Sequence, residues 1–357
     1  MAVLTEEQTM LRDMARDWAD NESPVTAFRR MRAAAPPARF DADAWRAQAE
    51  MGWAGIIVPE AQGGAGMGYG SLGLVLEQLG RNLAATPLAA TAAATSALLL
   101  GGSEAQQAAW LPRIAAGDVI ATLAVDEGPR FAPDRIATTV EDGALTGTKA
   151  FVAEGDSAQL FVVAAVDGLY LVADGAGVAR APRSLVDSRS HAEIRFVGAP
   201  AERLAGGGPD LLTRVTDRAA AALCAEMLGM AESAFEQTNA FLKTRVQFGQ
   251  VLASFQALQH RMAKMFTELE LMRSVVEAAL EAVDSGKPDV RQEVSLAKAL
   301  AGETLNLVSR EMVQLHGGIG MTDEHDAGFY LKRARVLEAM WGNAAWHRER
   351  FARLAGY

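Results

Sequence analysis

The stretch FQALQHRMAKMFTELELMRSVVEAALEAV, Phe255 to Val283, decides the fold of this chain. Phe255, Leu258, Met262, Met265, Phe266, Leu269, Met272, Val276, Ala279, Leu280 and Val283 trace one apolar face over about eight helical turns. A helix that long buries such a face by packing into a bundle, and helical periodicity persists to the C-terminus. Upstream, glycines 206 to 208 mark a connection. Before them the spacing is different. VIATLAV, IATTVE, ALTGTKAFV, LFVVAAV, LYLV and AEIRFV are short β-rich runs bounded by turn signals, including Asp-Gly pairs at Asp142 and Asp167. They predict a compact antiparallel, barrel-like β-domain. The first third is helical again. Thr5 with Gln8 forms a capping-box pattern ahead of Leu11, Met14 and Trp18, and Ser103 with Gln106 repeats it before a helix that Gly117 should end. Ser71 is placed to cap a helix carrying Leu72, Val75, Leu76 and Leu79 on one face. The expectation is an α+β protein: an N-terminal helical domain over 1–118, a middle β-domain over 119–204 and a C-terminal helical bundle over 205–357.

With 357 residues, half of them apolar, the chain can bury a large core. A net charge of −10 leaves no basic surplus for phosphate backbones, which argues against nucleic acid as a partner. The lone cysteine, Cys224, cannot form an internal disulfide and reads as a core thiol, which fits a reducing cytoplasm. Glu6, Glu7, Arg12 and Asp13 near the start give no signal-peptide pattern. No charge falls between Arg81 and Glu104, a length that could cross a bilayer, but the stretch is mostly Ala and Thr and contains Pro87. A buried helix, with no membrane span, is the expectation. The five scattered histidines form neither HExxH nor a Cys/His cluster, so no metal site is expected. A phosphate loop is missing, and GYGSLG puts Tyr69 where a GxSxG elbow needs glycine. GGAGMGYG, Gly63 to Gly70, lacks dinucleotide-fingerprint spacing and reads as a loop.

Four segments carry a resemblance: GWAGIIVPEAQGGAGMGYGSLGLVLEQLGR from Gly52, LTGTKAFVAEGDSAQLFVVA from Leu145, RVQFGQVLASFQALQHRMAKM from Arg245 and QLHGGIGMTDEH from Gln314. In this order and spacing they resemble the acyl-CoA dehydrogenase family. The resemblance implies a helical domain, a β-domain and a C-terminal four-helix bundle, assembled as dimers of dimers. It also implies FAD-dependent oxidation of an acyl-CoA thioester to the 2,3-enoyl-CoA, with electrons leaving to an electron-transfer flavoprotein. Arg245, Phe248, Gln256, Gln314, Gly317 and Gly318 match positions that bind FAD, serving the flavin of a neighbouring subunit. An arginine and closely approachable glycine backbone suit an anionic pyrophosphate. A solvated helix charge is the plain alternative for Arg245. His316 reads as a packing or capping residue.

The chain departs from the family where the chemistry occurs. In YLKRARVLEAMWGNAAWHRER, Trp341 stands where the family has its catalytic glutamate, and an indole cannot accept a proton. A second known location, near Ala219, is not acidic either. AVDEG from Ala124 leads into GPRFAPD rather than a threonine, a proline and a GSD loop. Phe151 replaces a common tryptophan, and Ala153 a threonine that hydrogen-bonds the flavin ring. This asymmetry resembles the subunits of bacterial α2β2 heterotetramers, including those acting on steroid side-chain CoA thioesters. The reading is a subunit that completes FAD binding beside a related dehydrogenase chain. A self-sufficient homo-oligomer with a relocated base is the rival. Glu226, the only charge between Ala219 and Ala231, is its candidate base, with an ion pair to a neighbouring helix as the bland alternative. A non-catalytic binding protein on the same fold is the third reading.

Overall fold

A computed structural model describes residues 4–357. Helices α1 (Glu6–Glu22), α2 (Val25–Ala34), α3 (Ala42–Glu50), α4 (Gly68–Arg81), α5 (Leu88–Gly101) and α6 (Glu104–Ala115) come first. Strands β1 (Ala121–Ala124), β2 (Thr139–Glu141), β3 (Ala144–Ala153), β4 (Leu160–Ala165), β5 (Gly168–Ala173), β6 (Val178–Pro182), β7 (His191–Pro200) and β8 (Glu202–Arg203) follow. Then come α7 (Leu211–Thr244), the small strands β9 (Val246–Gln247) and β10 (Gln250–Val251), α8 (Gln256–Ser285), α9 (Val290–His316), α10 (Ala327–Ala339) and α11 (Ala344–Leu354). The chain divides into two compact units, one of residues 1–28, 73–84 and 221–357, the other of residues 29–72 and 85–220.

The second unit holds strands β1 to β8, in two four-stranded sheets of order β1-β4-β5-β8 and β2-β3-β7-β6. The expected middle β-domain is present and its pairings are antiparallel but for one. Neither sheet closes, and β1 pairs with β4 in parallel, Ala121 opposite Leu160. Every residue of β1 and β4 is buried, the signature of strands covered on both faces rather than of an alternating hairpin. Helix α5 packs on β1 and is itself almost wholly buried, which accounts for its uncharged sequence. No helix among the described residues is long and apolar enough to cross a membrane. Asp142 and Gly143 both adopt positive φ, 48° and 78°, in the two-residue turn joining β2 to β3.

Both capping boxes form, at Thr5–Gln8 and Ser103–Gln106. Ser71 does not cap α4: the helix begins at Gly68 and Ser71 is buried within it. The glycine-rich first turn, a poor helix former alone, is held by a hydrogen bond between the Tyr69 and Ser96 hydroxyls.

In the helical unit, α9 packs against α8, α10 and α11. Helices α4 and α7 meet backbone to backbone, because a Cβ on Gly229 would lie 1.8 Å from the Glu77 carbonyl and one on Gly80 would lie 2.3 Å from that of Glu226. Around this crossing Glu232 bridges Arg81 and Arg273. The buried Tyr330 hydroxyl donates to the Arg81 carbonyl at 2.6 Å.

Candidate cofactor-binding site

Helix α7 ends in a tight hairpin. Arg245 precedes β9, and Gln247 pairs with Gln250 across a turn in which Phe248 and Gly249 have φ of 56° and 82°. The Leu252 amide closes the loop on the Arg245 carbonyl at 2.9 Å. At the tip Phe248 is 87 % exposed, touched edge-on by Phe255 at 6.2 Å between ring centres. Gln256 opens α8 directly after and is exposed.

The end of α9 comes to the same place. Phe241, one turn before Arg245, lies 4.3 Å from the His316 ring, and His316 lies 4.2 Å from His325. His316 Nδ1 donates to the Met312 carbonyl at 2.7 Å, and burial lowers its pKa, so it serves as a neutral spacer between helix ends. Gln314 and the two glycines after His316 are exposed. Gly317 has φ 64°, and a Cβ on Gly317 or Gly318 would meet nothing within 4 Å, so their backbone is open to close approach. The Arg245 guanidinium has no hydrogen-bond or ion-pair partner among the described residues. An unpaired cation and an open glycine backbone at these two helix ends fit the pyrophosphate and adenosine end of FAD.

The turn after α10 is built quite differently. Fully buried Lys298 donates to the carbonyls of Leu337 (3.1 Å), Glu338 (3.1 Å) and Gly342 (2.9 Å). Its ammonium caps the end of α10 and folds the chain back, with Trp341 at φ 55° and Gly342 at 95°. His347 Nε2 donates to the Trp341 carbonyl at 2.8 Å. Burial, aided by the Lys298 charge, drives the His347 pKa down to about 3, so that ring stays neutral. Burial also lowers Lys298 to about 8 and raises the neighbouring Cys224 thiol to about 12. Sequence reasoning missed Lys298. The acid of this turn, Glu338, is ion-paired with Arg335 at 3.1 Å. Glu226 is engaged elsewhere: Arg333 grips it with two parallel bonds, Nε to Oε1 at 2.9 Å and Nη2 to Oε2 at 3.1 Å. That is the ion pair to a neighbouring helix rather than a free base.

The β-sheet unit carries a second ionisable cluster. Glu127 accepts from Lys149 Nζ (2.8 Å), the Thr138 hydroxyl (2.6 Å) and amide (3.0 Å), and the Ala137 amide (2.7 Å). Burial pushes Glu127 up, but these bonds outweigh it and hold the carboxyl down at about 2. Burial raises Asp126 to about 6, against the pull of Lys149. Ala153 offers only its carbonyl, which already accepts from Thr122 Oγ1 at 2.6 Å, and Phe151 is 40 % exposed. The hydroxyls of this cluster, Thr122 and Thr138, are taken up by the Ala153 carbonyl and Glu127. Among the described residues no group of three or more His, Cys, Asp or Glu is placed to hold a metal.

Helices, two four-stranded sheets and a second helical unit are the architecture of a class of FAD-dependent oxidoreductases. The acyl-CoA dehydrogenase N-terminal domain model matches residues 5–118 and the C-terminal domain model residues 206–355. Acyl-CoA dehydrogenase IpdE2 of Mycobacterium tuberculosis is 32 % identical over 92 % of this chain and 91 % of its own length. Among solved structures, the Tcur3481-Tcur3483 steroid ACAD variant superposes with a TM-score of 0.91 at 31 % identity, covering 98 % of both chains. The ChsE4-ChsE5 complex from Mycobacterium tuberculosis gives 0.91 at 27 % identity over the whole of both chains. This chain belongs to the acyl-CoA dehydrogenase family.

Proposed function

We propose that this chain is the FAD-completing subunit of a heteromeric acyl-CoA dehydrogenase, paired with a related chain that supplies the base. One contrast carries the reading. Arg245 is unpaired among the described residues and the Gly317–Gly318 backbone is open, while an indole stands at Trp341 and the nearby Glu338 is held by Arg335. Bound FAD would take the hydride leaving the acyl β-carbon, and electrons would pass on to an electron-transfer flavoprotein. The part of this chain is to bind. Arg245 neutralises pyrophosphate charge, Gly317 and Gly318 admit it to the backbone, and Phe248, Gln256 and Gln314 enclose the adenosine end. Exposed Val246, Phe248 and Met321 flank those groups with apolar surface suited to a second chain.

The two-chain names of the ChsE4-ChsE5 complex and of the Tcur3481-Tcur3483 steroid enzyme support a heteromer acting on a bulky, steroid-like acyl-CoA. The rival, Glu226 as a relocated base, requires breaking its two bonds to Arg333, a disruption that leaves a buried charge alone. Co-purification with the related dehydrogenase chain tests the proposal. Arg245→Ala should lower flavin retained per complex at least about tenfold in affinity while the complex stays assembled. Undiminished flavin would remove Arg245 from the site.

A further inference from the structure

Two imidazole rings join the ends of the connection that carries Gly317 and Gly318. His316 closes α9, His325 stands two residues before α10, and their ring centres lie 4.2 Å apart. The two rings hold opposite tautomers. A carbonyl can only accept, so His316 carries its proton on Nδ1, 2.7 Å from the Met312 oxygen. An amide can only donate, so His325 Nδ1 is bare where it accepts from the Ala327 amide at 3.1 Å. That amide is the first of α10, one of the donors that a helix start leaves without an internal partner. Between the rings the chain is closely held. Gly317–Met321 form a single 3-10 turn, a Cβ on Gly320 would lie 2.6 Å from the Val313 carbonyl, and Thr322 Oγ1 donates to the Ile319 carbonyl at 2.8 Å.

Imidazole charges at about pH 6.5 in water, and the vacant nitrogen of His325 is the one that holds the start of α10. A proton there ends the bond from Ala327 and sets a cation against His316. Burial lowers the pKa of His316, and the charge of His325 acts in the same direction, so His316 stays neutral and the proton goes to His325. On the connection Asp323, Glu324 and Asp326 favour that proton, and Lys243 and Arg245 at the end of α7 oppose it. Glu311 of α9 is held by Arg261 of α8 at 2.6 Å. We propose that His316 and His325 are positioning residues for the nucleotide end of FAD, a stacked pair that holds the Gly317–Gly318 backbone while both rings are neutral and releases it when His325 is protonated. This rests on the reading that Arg245 and the two glycines bind FAD. An added positive charge would by itself tighten an anionic pyrophosphate, so loosening on acidification is the sign that separates a positional effect from an electrostatic one.

Amide exchange of the purified full chain, read by mass spectrometry at pH 7.5 and pH 5.5 and corrected for the intrinsic rate, tests the pair without flavin or a second chain. Residues 317–327 should exchange about tenfold faster or more at pH 5.5, while the middle of α8 should not change. His325→Asn keeps an acceptor for the Ala327 amide but takes up no proton, so its exchange should be slow at both pH values, and that of His325→Ala fast at both. In the complex with the related dehydrogenase chain, the FAD dissociation constant, read from flavin fluorescence, should rise about tenfold between pH 7.5 and pH 5.5 for the wild type and stay level for His325→Asn. Exchange indifferent to pH, or equally pH-dependent in His325→Asn, would overturn the pair as a proton-responsive hold. FAD bound as tightly or more tightly at pH 5.5 would overturn its link to the cofactor. Failure of the FAD reading shows separately, as Arg245→Ala retaining all its flavin, and leaves the exchange result standing.

Discussion

Asp126 and Glu77 are carboxyls that the fold holds away from water, and both tie stability to pH. Burial raises Asp126 from 3.8 to about 6, and burial followed by the charge of Glu232 raises Glu77 from 4.5 to about 7. An acid with a raised folded-state pKa contributes stability that is fully present below its unfolded value and lost as pH climbs through the folded value. The urea midpoint should therefore fall between pH 5 and pH 7.5, and Asp126→Asn should flatten that slope by about 1–2 kcal/mol, a figure already reduced for residual solvent contact. Glu127 behaves oppositely, since its depressed pKa stabilises above 4.5 and that contribution disappears as pH drops toward 2. A midpoint indifferent to Asp126→Asn at both pH values would show that its carboxyl is not desolvated. Single residues were legible in the sequence only when their surroundings were local. The apolar neighbours of Glu226 along α7 announced a buried carboxylate, but its partner Arg333 lies 107 residues away. Arg245 and the glycine pair after His316 were legible through motif spacing. Lys298 was not, because its three acceptors lie 39 to 44 residues downstream and nothing in the intervening sequence marks them.

Between elements, two devices deserve separate measurement: the α4–α7 crossing and the Lys298 cap on α10. The crossing tolerates no side chain at Gly229, where a Cβ would sit 1.8 Å from a carbonyl oxygen, so Gly229→Ala should destabilise by about 2–4 kcal/mol in urea unfolding. The same substitution at Gly286, open on all sides at the end of α8, should cost about 1 kcal/mol through its positive φ alone. Equal losses at the two positions would contradict the close packing. Lys298→Met removes three hydrogen bonds from the 337–342 turn and should cost about 3 kcal/mol, with a change in the near-ultraviolet signal from Trp341. Capping boxes and most of the long amphipathic face of α8 could be predicted because they are written in residues three or four apart, but Phe266, read as part of that face, is 53 % exposed. The parallel β1–β4 pairing could not, since partner choice depends on distant chain. Strand β6, VARAP, hid behind its proline, which only an edge strand accepts.

For the molecule as a whole, the proposed function has the chain keep the groups that grip a nucleotide and lack the one that moves a proton. If that division is real, turnover should appear only when a related dehydrogenase chain supplies a carboxylate. Restoring an acid at Trp341→Glu should not by itself make the isolated chain active, because the ring side still lacks hydroxyl donors at Asp126 and Ala153. Steady turnover of any acyl-CoA by isolated Trp341→Glu would argue that only the base was lost. The most direct measurement is flavin per chain, by absorbance after denaturation, for the protein expressed alone and together with its related dehydrogenase chain. The account predicts a nearly colourless chain alone and a yellow complex holding fewer flavins than chains. A yellow homo-oligomer with one flavin per chain, bleached by an acyl-CoA, would contradict it.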